Sequence, residues 1–318
     1  MKILFITSTR LGDGVLSTGA LNHFIEKYSE AEITVVCGPI IAGLFEPAPR
    51  VVRVIPMTKE RYALHWVKVW RETVGTRWDI VVDLRNSLVS RLILAKKRYI
   101  WGKEDKNKHK VEQIAAVINV SPPPAPMLWF NDDIRNKAAA LVPAGSPVLA
   151  IGPAANWPAK TWPAENFIAL INKLIAEGGI LSHARVAVFA APGEEQVAYK
   201  VLNALPLERR VDVIAKASPV VAAAALQRCT FYIGNDSGLM HCAAAAGIPT
   251  LGLFGPSWPQ LYRPWGPRTS YVSTPENFDQ LISRPGFTDG FDGSLMTSLT
   301  VEMAYEAAID LWNKVGKP

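Results

Sequence analysis

Apolar and polar positions follow two alternating rhythms along this chain. Short apolar runs at residues 2–6 (KILFI), 32–37 (EITVVC), 51–55 and 79–84 (DIVVDL) read as buried strands. Between them, apolar residues recur at helical spacing. In residues 14–28, Leu16, Ala20, Leu21, Phe24 and Ile25 share one face. Helices are predicted over 62–74 and 87–95, and a further strand over 98–101. This strand–helix–strand order implies a parallel sheet covered on both faces. Two proline-rich breaks, SPPPAP at 121–126 and PAGSP at 143–147, flank a short helix at 132–141. They predict a domain boundary within 125–147. The rhythm then repeats, with strands at 148–151, 185–190, 211–214, 231–233 and 250–254 and helices at 163–177, 193–205 and 219–228. Residues 259–293 show no period and read as irregular. A last helix, 300–314, carries Met303, Ala307 and Leu311 on an apolar face that needs a partner. The expected division is an α/β domain over 1–145, a second over 146–300, and a terminal segment, 301–318, returning to the first.

Composition narrows the class. With 318 residues and 49% apolar content, two globular cores are expected. No stretch reaches the roughly 20 apolar residues that span a bilayer. The opening apolar run, residues 3–6, is too short for a secretory leader, and Arg10 and Asp13 follow at once. Cys37, Cys229 and Cys242 are an odd number with no metal-like spacing; Cys229 and Cys242 lie in or beside apolar elements, so buried thiols in a cytoplasmic protein are expected.

Charge is split between the halves. Residues 1–145 hold 21 Lys+Arg against 14 Asp+Glu, whereas 146–318 hold 13 against 14. The densest basic stretch is 91–110, with Lys96, Lys97, Arg98, Lys103, Lys106 and Lys108. An anionic partner suits such a surface, and so does plain solvation. Aromatic interleaving is thin there, so no nucleic acid partner is expected.

Candidate chemistry gathers where strands end and helices begin. Unpaired backbone N–H groups and the positive end of the helix dipole favour an anion at such places. Residues 231–258 (FYIGNDSGLMHCAAAAGIPTLGLFGPSW) are the strongest case, with Asn235, Asp236, Ser237 and Gly238 between a strand and a helix that opens with His241. His241 reads as a general acid, a phosphate ligand or a structural histidine. After the first strand comes Leu11-Gly12-Asp13-Gly14, which lacks the G-x-G-x-x-G dinucleotide fingerprint. Asp13 there reads equally as a base for an acceptor hydroxyl or as a helix cap. Lys160, in a loop before a helix, could neutralise a diphosphate or simply face solvent. Glu194 and Glu195, after VAVFA, could bind ribose hydroxyls or complement a helix start. No His/Cys/Asp cluster has transition-metal spacing, and no Walker or G-x-S-x-G sequence occurs.

Four segments, in order along the chain, carry a family resemblance. They are the first strand with Leu11-Gly12-Asp13; Pro158-Ala159-Lys160-Thr161-Trp162-Pro163 with Phe167; Gly234-Asn235-Asp236-Ser237-Gly238-Leu239-Met240-His241; and Leu253-Phe254-Gly255-Pro256-Ser257. Together they resemble glycosyltransferase family 9, the lipopolysaccharide heptosyltransferases. The resemblance implies a GT-B fold, two Rossmann-like domains with parallel sheets facing across a cleft. It implies an inverting transfer without a metal, from a nucleotide sugar, ADP-heptose, to an anionic lipid-linked saccharide acceptor of the core type. On this pattern Asp13 is the general base. Lys160, Asp236, Ser237, Gly238 and His241 hold the donor diphosphate, and Glu194 or Glu195 binds the ribose. Arg53, Arg61, Arg85 and the 91–110 cluster are candidates for the acceptor surface. Peripheral contact with the inner face of the cytoplasmic membrane is expected on the same ground. The competing expectations are a GT-B enzyme using another nucleotide sugar for cell-envelope polysaccharide, and a non-catalytic sugar-nucleotide-binding protein.

Overall fold

The computed structural model describes residues 1–284, 287–288 and 291–315. Positions 285–286 and 289–290 of the expected irregular stretch, and 316–318 of the expected terminal segment, lie outside the described residues. The chain divides into two compact units, Met1–Asn131 and a second beginning at Asp132.

The first unit runs β1 (Lys2–Ile6), α1 (Leu11–Lys27), β2 (Glu32–Cys37), α2 (Ala42–Phe45), β3 (Val51–Pro56), α3 (Leu64–Thr73), β4 (Trp78–Asp83), α4 (Val89–Leu92), β5 (Ala95–Ile100) and α5 (Lys110–Val117). Its sheet has the order β3-β2-β1-β4-β5, with every pair parallel. β1 is central, and Ile3 is in register with both Ile33 and Ile80. That position explains its unbroken apolar run: Ile3, Leu4, Phe5 and Ile6 are all fully buried. Val69 of α3 and Val89 of α4 pack with Leu4, Val36, Ile55 and Val81 on one face of this sheet. On α1, a Cβ on Gly19 would come within 2.3 Å of the Pro124 carbonyl oxygen, so the proline-rich segment lies directly against the helix.

Two local expectations differ here. The helix predicted over 87–95 shrinks to α4, and the chain is extended again from Ile93. Ile93 is buried while Leu92 and Leu94 are exposed, which is strand alternation rather than a helical face. Helix α5 grows out of what reads as a charged loop. Its start is made by His109, whose Nδ1 accepts from Val111 N at 3.2 Å while Glu112 accepts from His109 N at 2.8 Å.

The second unit runs α6 (Asp132–Leu141), β6 (Val148–Gly152), α7 (Ala164–Ile175), β7 (Arg185–Ala190), α8 (Glu195–Asn203), β8 (Arg210–Ile214), α9 (Pro219–Leu226), β9 (Phe231–Asn235), α10 (Gly238–Ala245), β10 (Thr250–Phe254), α11 (Pro259–Tyr262), β11 (Thr269–Ser273), α12 (Phe278–Ile282) and α13 (Val301–Val315). Its parallel sheet has the order β11-β10-β9-β6-β7-β8. The strand order reverses between β6 and β9, which is where open α/β sheets bind ligands.

Helix α6 belongs with this unit rather than the first, because Ile134 and Ala138 are buried where it packs on α9. The terminal helix, expected to return to the first half, instead lays Ala304, Ala308, Leu311 and Trp312 into the second unit's own core beside α7. The stretch read as irregular contains β11, a polar edge strand, and α12, a single turn and a half capped by Asn277 and Gln280. All three cysteines are free and buried, and burial pushes each thiol up to about 12.

Candidate functional site

In the first unit the chain leaves β1 through Thr7 and Ser8 and enters α1 at Leu11. Asp13 stands in the first turn of α1, three positions past the N-cap residue, Arg10, which makes no side-chain cap. Its carboxylate is half-buried and accepts from Ser8 Oγ at 3.3 Å. Ser8 Oγ in turn accepts from Arg10 N at 3.2 Å. A carboxylate at this position complements the helix dipole but is not the helix's cap. Beneath it, the hydroxyls of Thr7 and Ser17 lie 2.8 Å apart and tie strand to helix.

The basic candidates of this unit are dispersed. Arg53, on the edge strand β3, is exposed and ion-paired with Glu72 of α3. Arg61 lies 4.8 Å over the exposed ring of Tyr62. Arg85 follows β4 in a loop folded around the buried Asp83, whose carboxylate accepts from Arg85 N, Ser87 N and Ser87 Oγ. Within the 91–110 cluster, Lys96 pairs with Asp79 at 2.6 Å, Lys110 with Glu104, and Arg98 donates to the Ser90, Ile93 and Ala95 carbonyls. Part of that positive charge is therefore structural.

In the second unit the candidate residues meet at the switch point. β9 ends in Asn235, and Asp236 follows. Lys160, 76 positions earlier, donates to Asp236 Oδ2 at 2.6 Å. The pair is largely withdrawn from water, with side-chain exposures of 22% and 8%. Asn235 braces both sides: its Nδ2 donates to Pro153 O at 2.9 Å, and its Oδ1 accepts from Trp162 N at 3.2 Å. Trp162 is fully buried and donates from Nε1 to Leu299 O at 2.8 Å. The loop carrying Lys160 is thus held at both ends.

Ser237 is the N-cap residue of α10, yet its hydroxyl makes no cap, so the first N–H groups of that helix receive no side-chain oxygen from it. Gly238 opens the helix, and His241 follows within the next turn, 5% exposed. Below the turn lies Tyr232, which the sequence alone does not single out because it reads as part of a strand. Its ring fills the space above paired strand-end glycines: a Cβ on Gly152 or Gly234 would stand 2.1 or 2.3 Å from the Tyr232 hydroxyl. Burial raises the pKa of that hydroxyl and the adjacent Ser237 hydroxyl opposes the rise, so Tyr232 is a neutral phenol. Gly234→Ala is expected to destabilise the fold by about 1–3 kcal/mol through overpacking against this ring. Urea unfolding monitored by fluorescence checks it, and an unchanged midpoint would mean the ring moves freely.

At the ends of the next two strands, Ser257 Oγ and Ser273 Oγ are buried with no hydrogen-bond partner among the described residues. Buried hydroxyls are normally paired, so these two mark an edge suited to a polar ligand.

A cavity of about 510 Å³ opens beside the Lys160 loop, lined by Ala154, Ala155, Pro158, Thr161, Gly193 and Glu194 among others. That volume is in the range of small-molecule sites. Glu194 lines it and Glu195 does not. Burial raises the pKa of the Glu194 carboxyl, the Ala191 N–H bond (2.9 Å) lowers it, and the nearby Glu195 raises it. Glu195 accepts from Gly193 N at 2.8 Å. Among the described residues, no group of three or more His, Cys, Asp or Glu is placed to hold a metal ion. No helix among them is long and apolar enough to cross a membrane.

Comparison with known proteins gives the family and the fold. Residues 103–281 match the family model for glycosyltransferase family 9 (heptosyltransferase). Lipooligosaccharide heptosyltransferase 2 of Haemophilus influenzae is 32% identical over 172 residues, covering 53% of this chain and 46% of that protein, so this alignment spans under half of that relative's length. Among solved structures, a family 9 glycosyl transferase from Veillonella parvula superposes with a TM-score of 0.81 at 20% identity, over 98% of this chain and 96% of that one. The E. coli ADP-heptose LPS heptosyltransferase II superposes with a TM-score of 0.75 at 22% identity, over 98% of each chain. These likenesses give the fold as GT-B, two Rossmann-like α/β units each built on a parallel sheet. On the family match, this chain belongs to glycosyltransferase family 9, the heptosyltransferase family, and is a glycosyltransferase.

Proposed function

We propose that the protein moves a heptose from ADP-heptose to a lipid-linked, anionic core-type saccharide, with inversion at the transferred carbon and without a metal ion. The observation that carries this reading is the Lys160–Asp236 pair at the sheet switch point, beside the start of α10 and the cavity containing Glu194. The donor's name is borrowed from the E. coli enzyme of the same fold, and the acceptor class from the curated relative.

In this reading the adenosine occupies the cavity and Glu194 accepts from the ribose hydroxyls. The diphosphate lies against the α10 N–H groups and the Lys160 ammonium. Asp236 acts through Lys160: a carboxylate cannot accept from phosphate oxygens, but it fixes the ammonium and leaves two of its three N–H donors for the ligand. Ser237 and Gly238 frame the turn. His241, buried in α10, serves the diphosphate from within the helix. Asp13 of the first unit removes the proton from the acceptor hydroxyl. The oxygen attacks the anomeric carbon as the bond to the diphosphate breaks, and a single displacement inverts that centre. The departing charge is met by groups already oriented for it. Arg53, Arg61 and Arg85 belong to the acceptor side, with Arg53 available only when it exchanges Glu72 for the acceptor.

Calorimetric titration with ADP, UDP, GDP and CMP tests the donor. ADP is expected to bind at least about tenfold more tightly than the others. A preference for UDP or GDP would transfer the reading to another nucleotide sugar. Glu194 and Glu195 separate in the same assay. Because the Glu194 pKa lies above the ordinary carboxylate value, ADP affinity is expected to weaken on acidification earlier than an unperturbed glutamate would allow, as Glu194 protonates and ceases to accept. Glu194→Gln should flatten this pH dependence and Glu195→Gln should preserve it; the reverse result would exchange their roles.

A further inference from the structure

Residues 263–268 (RPWGPR) join α11 to β11 in the second unit. Pro264 and Pro267 restrict their own φ angles, and Gly266 takes φ +138°, a value that suits glycine. The loop closes on itself. Thr269 Oγ1 is 2.9 Å from Pro264 O and 2.8 Å from Gly266 O, and donates to them. Arg263 N donates back to Pro259 O at 2.8 Å. Trp265 is therefore carried on a short loop that is already shaped, so a ligand there meets little ordering cost.

The strand that follows has one open side. Thr250 N donates to Arg268 O at 3.0 Å, and Thr274 N donates to Phe254 O at 2.9 Å. In a parallel ladder this alternation turns the main-chain groups of residues 268, 270, 272 and 274 toward β10. Those of Thr269 and Tyr271 point outward from the edge of the sheet. Val272 packs on the core that holds α13, so Ser270 lies on the α13 side of the strand. Thr269 and Tyr271 lie on the other. Tyr271 is 44% exposed, and its ring meets Phe254 edge to face at 5.8 Å between centroids. That contact fixes the ring while leaving part of it open to a ligand.

A cavity of about 520 Å³ wraps this edge. It is lined by Arg263, Trp265, Thr269, Ser270 and Tyr271, and by Lys314 from the last turn of α13. Two cations line it and no carboxylate does. It takes the first three residues of β11, whereas Lys160 and Asp236 follow the far ends of β6 and β9. The two ends of a five-residue strand are roughly 15 Å apart, so this cavity is separate from the one containing Glu194. Aromatic faces suit the C–H face of a pyranose ring, and outward main-chain groups with a serine hydroxyl suit its hydroxyls. A phosphate monoester carries close to two negative charges at neutral pH and matches two cations better than a carboxylate does.

We propose that this cavity is a second carbohydrate site, which holds a small sugar phosphate away from the reacting centre. Trp265 and Tyr271 lie against the ring, and Arg263 and Lys314 meet the phosphate. The site does not rest on the donor or acceptor of the proposed function, since none of the residues assigned to them lines it.

Calorimetric titration with glucose 6-phosphate, glucose, inorganic phosphate, glucuronate and AMP tests it, each with and without ADP. Glucose 6-phosphate is expected to bind once per chain, at least about tenfold more tightly than the other four, and equally well when ADP is present. Trp265→Ala and Lys314→Glu should each weaken that binding at least about tenfold and leave ADP affinity unchanged. Lys314 is exposed, so the second variant keeps its melting temperature and decides the matter if the first loses stability. No binding of glucose 6-phosphate, equal binding of phosphate or glucuronate, tighter binding of AMP, displacement by ADP, or wild-type affinity in Lys314→Glu would each overturn the proposal. Sugar transfer is read in a different assay, so failure of this site and failure of the transferase reading give different results.

Discussion

Asp13→Asn is expected to lower sugar transfer about 10²–10⁴-fold, the range of a positioned general base. ADP affinity should stay within about twofold, because the residue lies in the first unit and the groups proposed to hold the nucleotide lie in the second. The substitution keeps the side chain's size and its capacity to accept from Ser8 Oγ, now 3.3 Å from Asp13 Oδ2. It removes the charge and the basicity, which separates catalysis from helix support. The helix-dipole contribution of one carboxylate in a first turn is about 0.3–1 kcal/mol. A large loss of stability with unchanged specific activity of the folded fraction would therefore identify Asp13 as a structural residue. Steady-state kinetics and a melt on the same preparation decide between the two.

Lys160→Ala is the second large effect, and it has two parts. Loss of a charge-assisted contact should weaken ADP binding by about 1–3 kcal/mol. The substitution also leaves Asp236, only 8% exposed, without its cation. Stranding one member of a fully buried pair costs about 3–5 kcal/mol, and here about 1–3 is expected because Lys160 retains 22% exposure. The double variant Lys160→Ala, Asp236→Ala removes the stranded charge. It should recover most of the stability and none of the ADP affinity. If Asp236→Ala alone leaves ADP binding unchanged, the carboxylate does not orient the ammonium, and the proposed division of labour between the two residues is wrong.

Much of the architecture is legible because it follows from periodicity. Apolar runs such as KILFI and DIVVDL are strands buried on both faces, and the alternation with helices requires parallel sheets. What escapes is where a few side chains override local pattern. Asp83 gathers the N–H groups of Arg85 and Ser87, and the helix expected after β4 is reduced to four residues. His109 caps α5 with a ring nitrogen, which is outside the usual Ser/Thr/Asp/Asn cap signal. β11 is an edge strand with polar sequence TSYVS, so burial does not write an apolar run into it.

The site shows the same division. The turn after β9 is visible in sequence, since Asn-Asp-Ser-Gly between a strand and an alanine-rich helix is an anion-site pattern. The pairing of Lys160 with Asp236 is not visible, because only the adjacency of β6 and β9 brings residues 76 positions apart together. Glu194 and Glu195 look equivalent in sequence, and the turn at Gly193 gives only the first a place on the cavity wall. Tyr232 is hidden in a strand, although the glycines at 152 and 234 are its trace. Arg53 reads as a free cation until the fold sets Glu72 against it.

The most direct test of the central claim is a transfer reaction with purified protein, ADP-heptose and a lipid-linked core acceptor in the presence of EDTA. ADP release and acceptor mass are followed together, and the anomeric configuration of the product is read by NMR. One heptose is expected to be added per ADP released, with inverted configuration and a rate unaffected by the chelator. Absence of transfer from ADP-heptose, retention of configuration, or activity abolished by EDTA and restored by a divalent cation would contradict it.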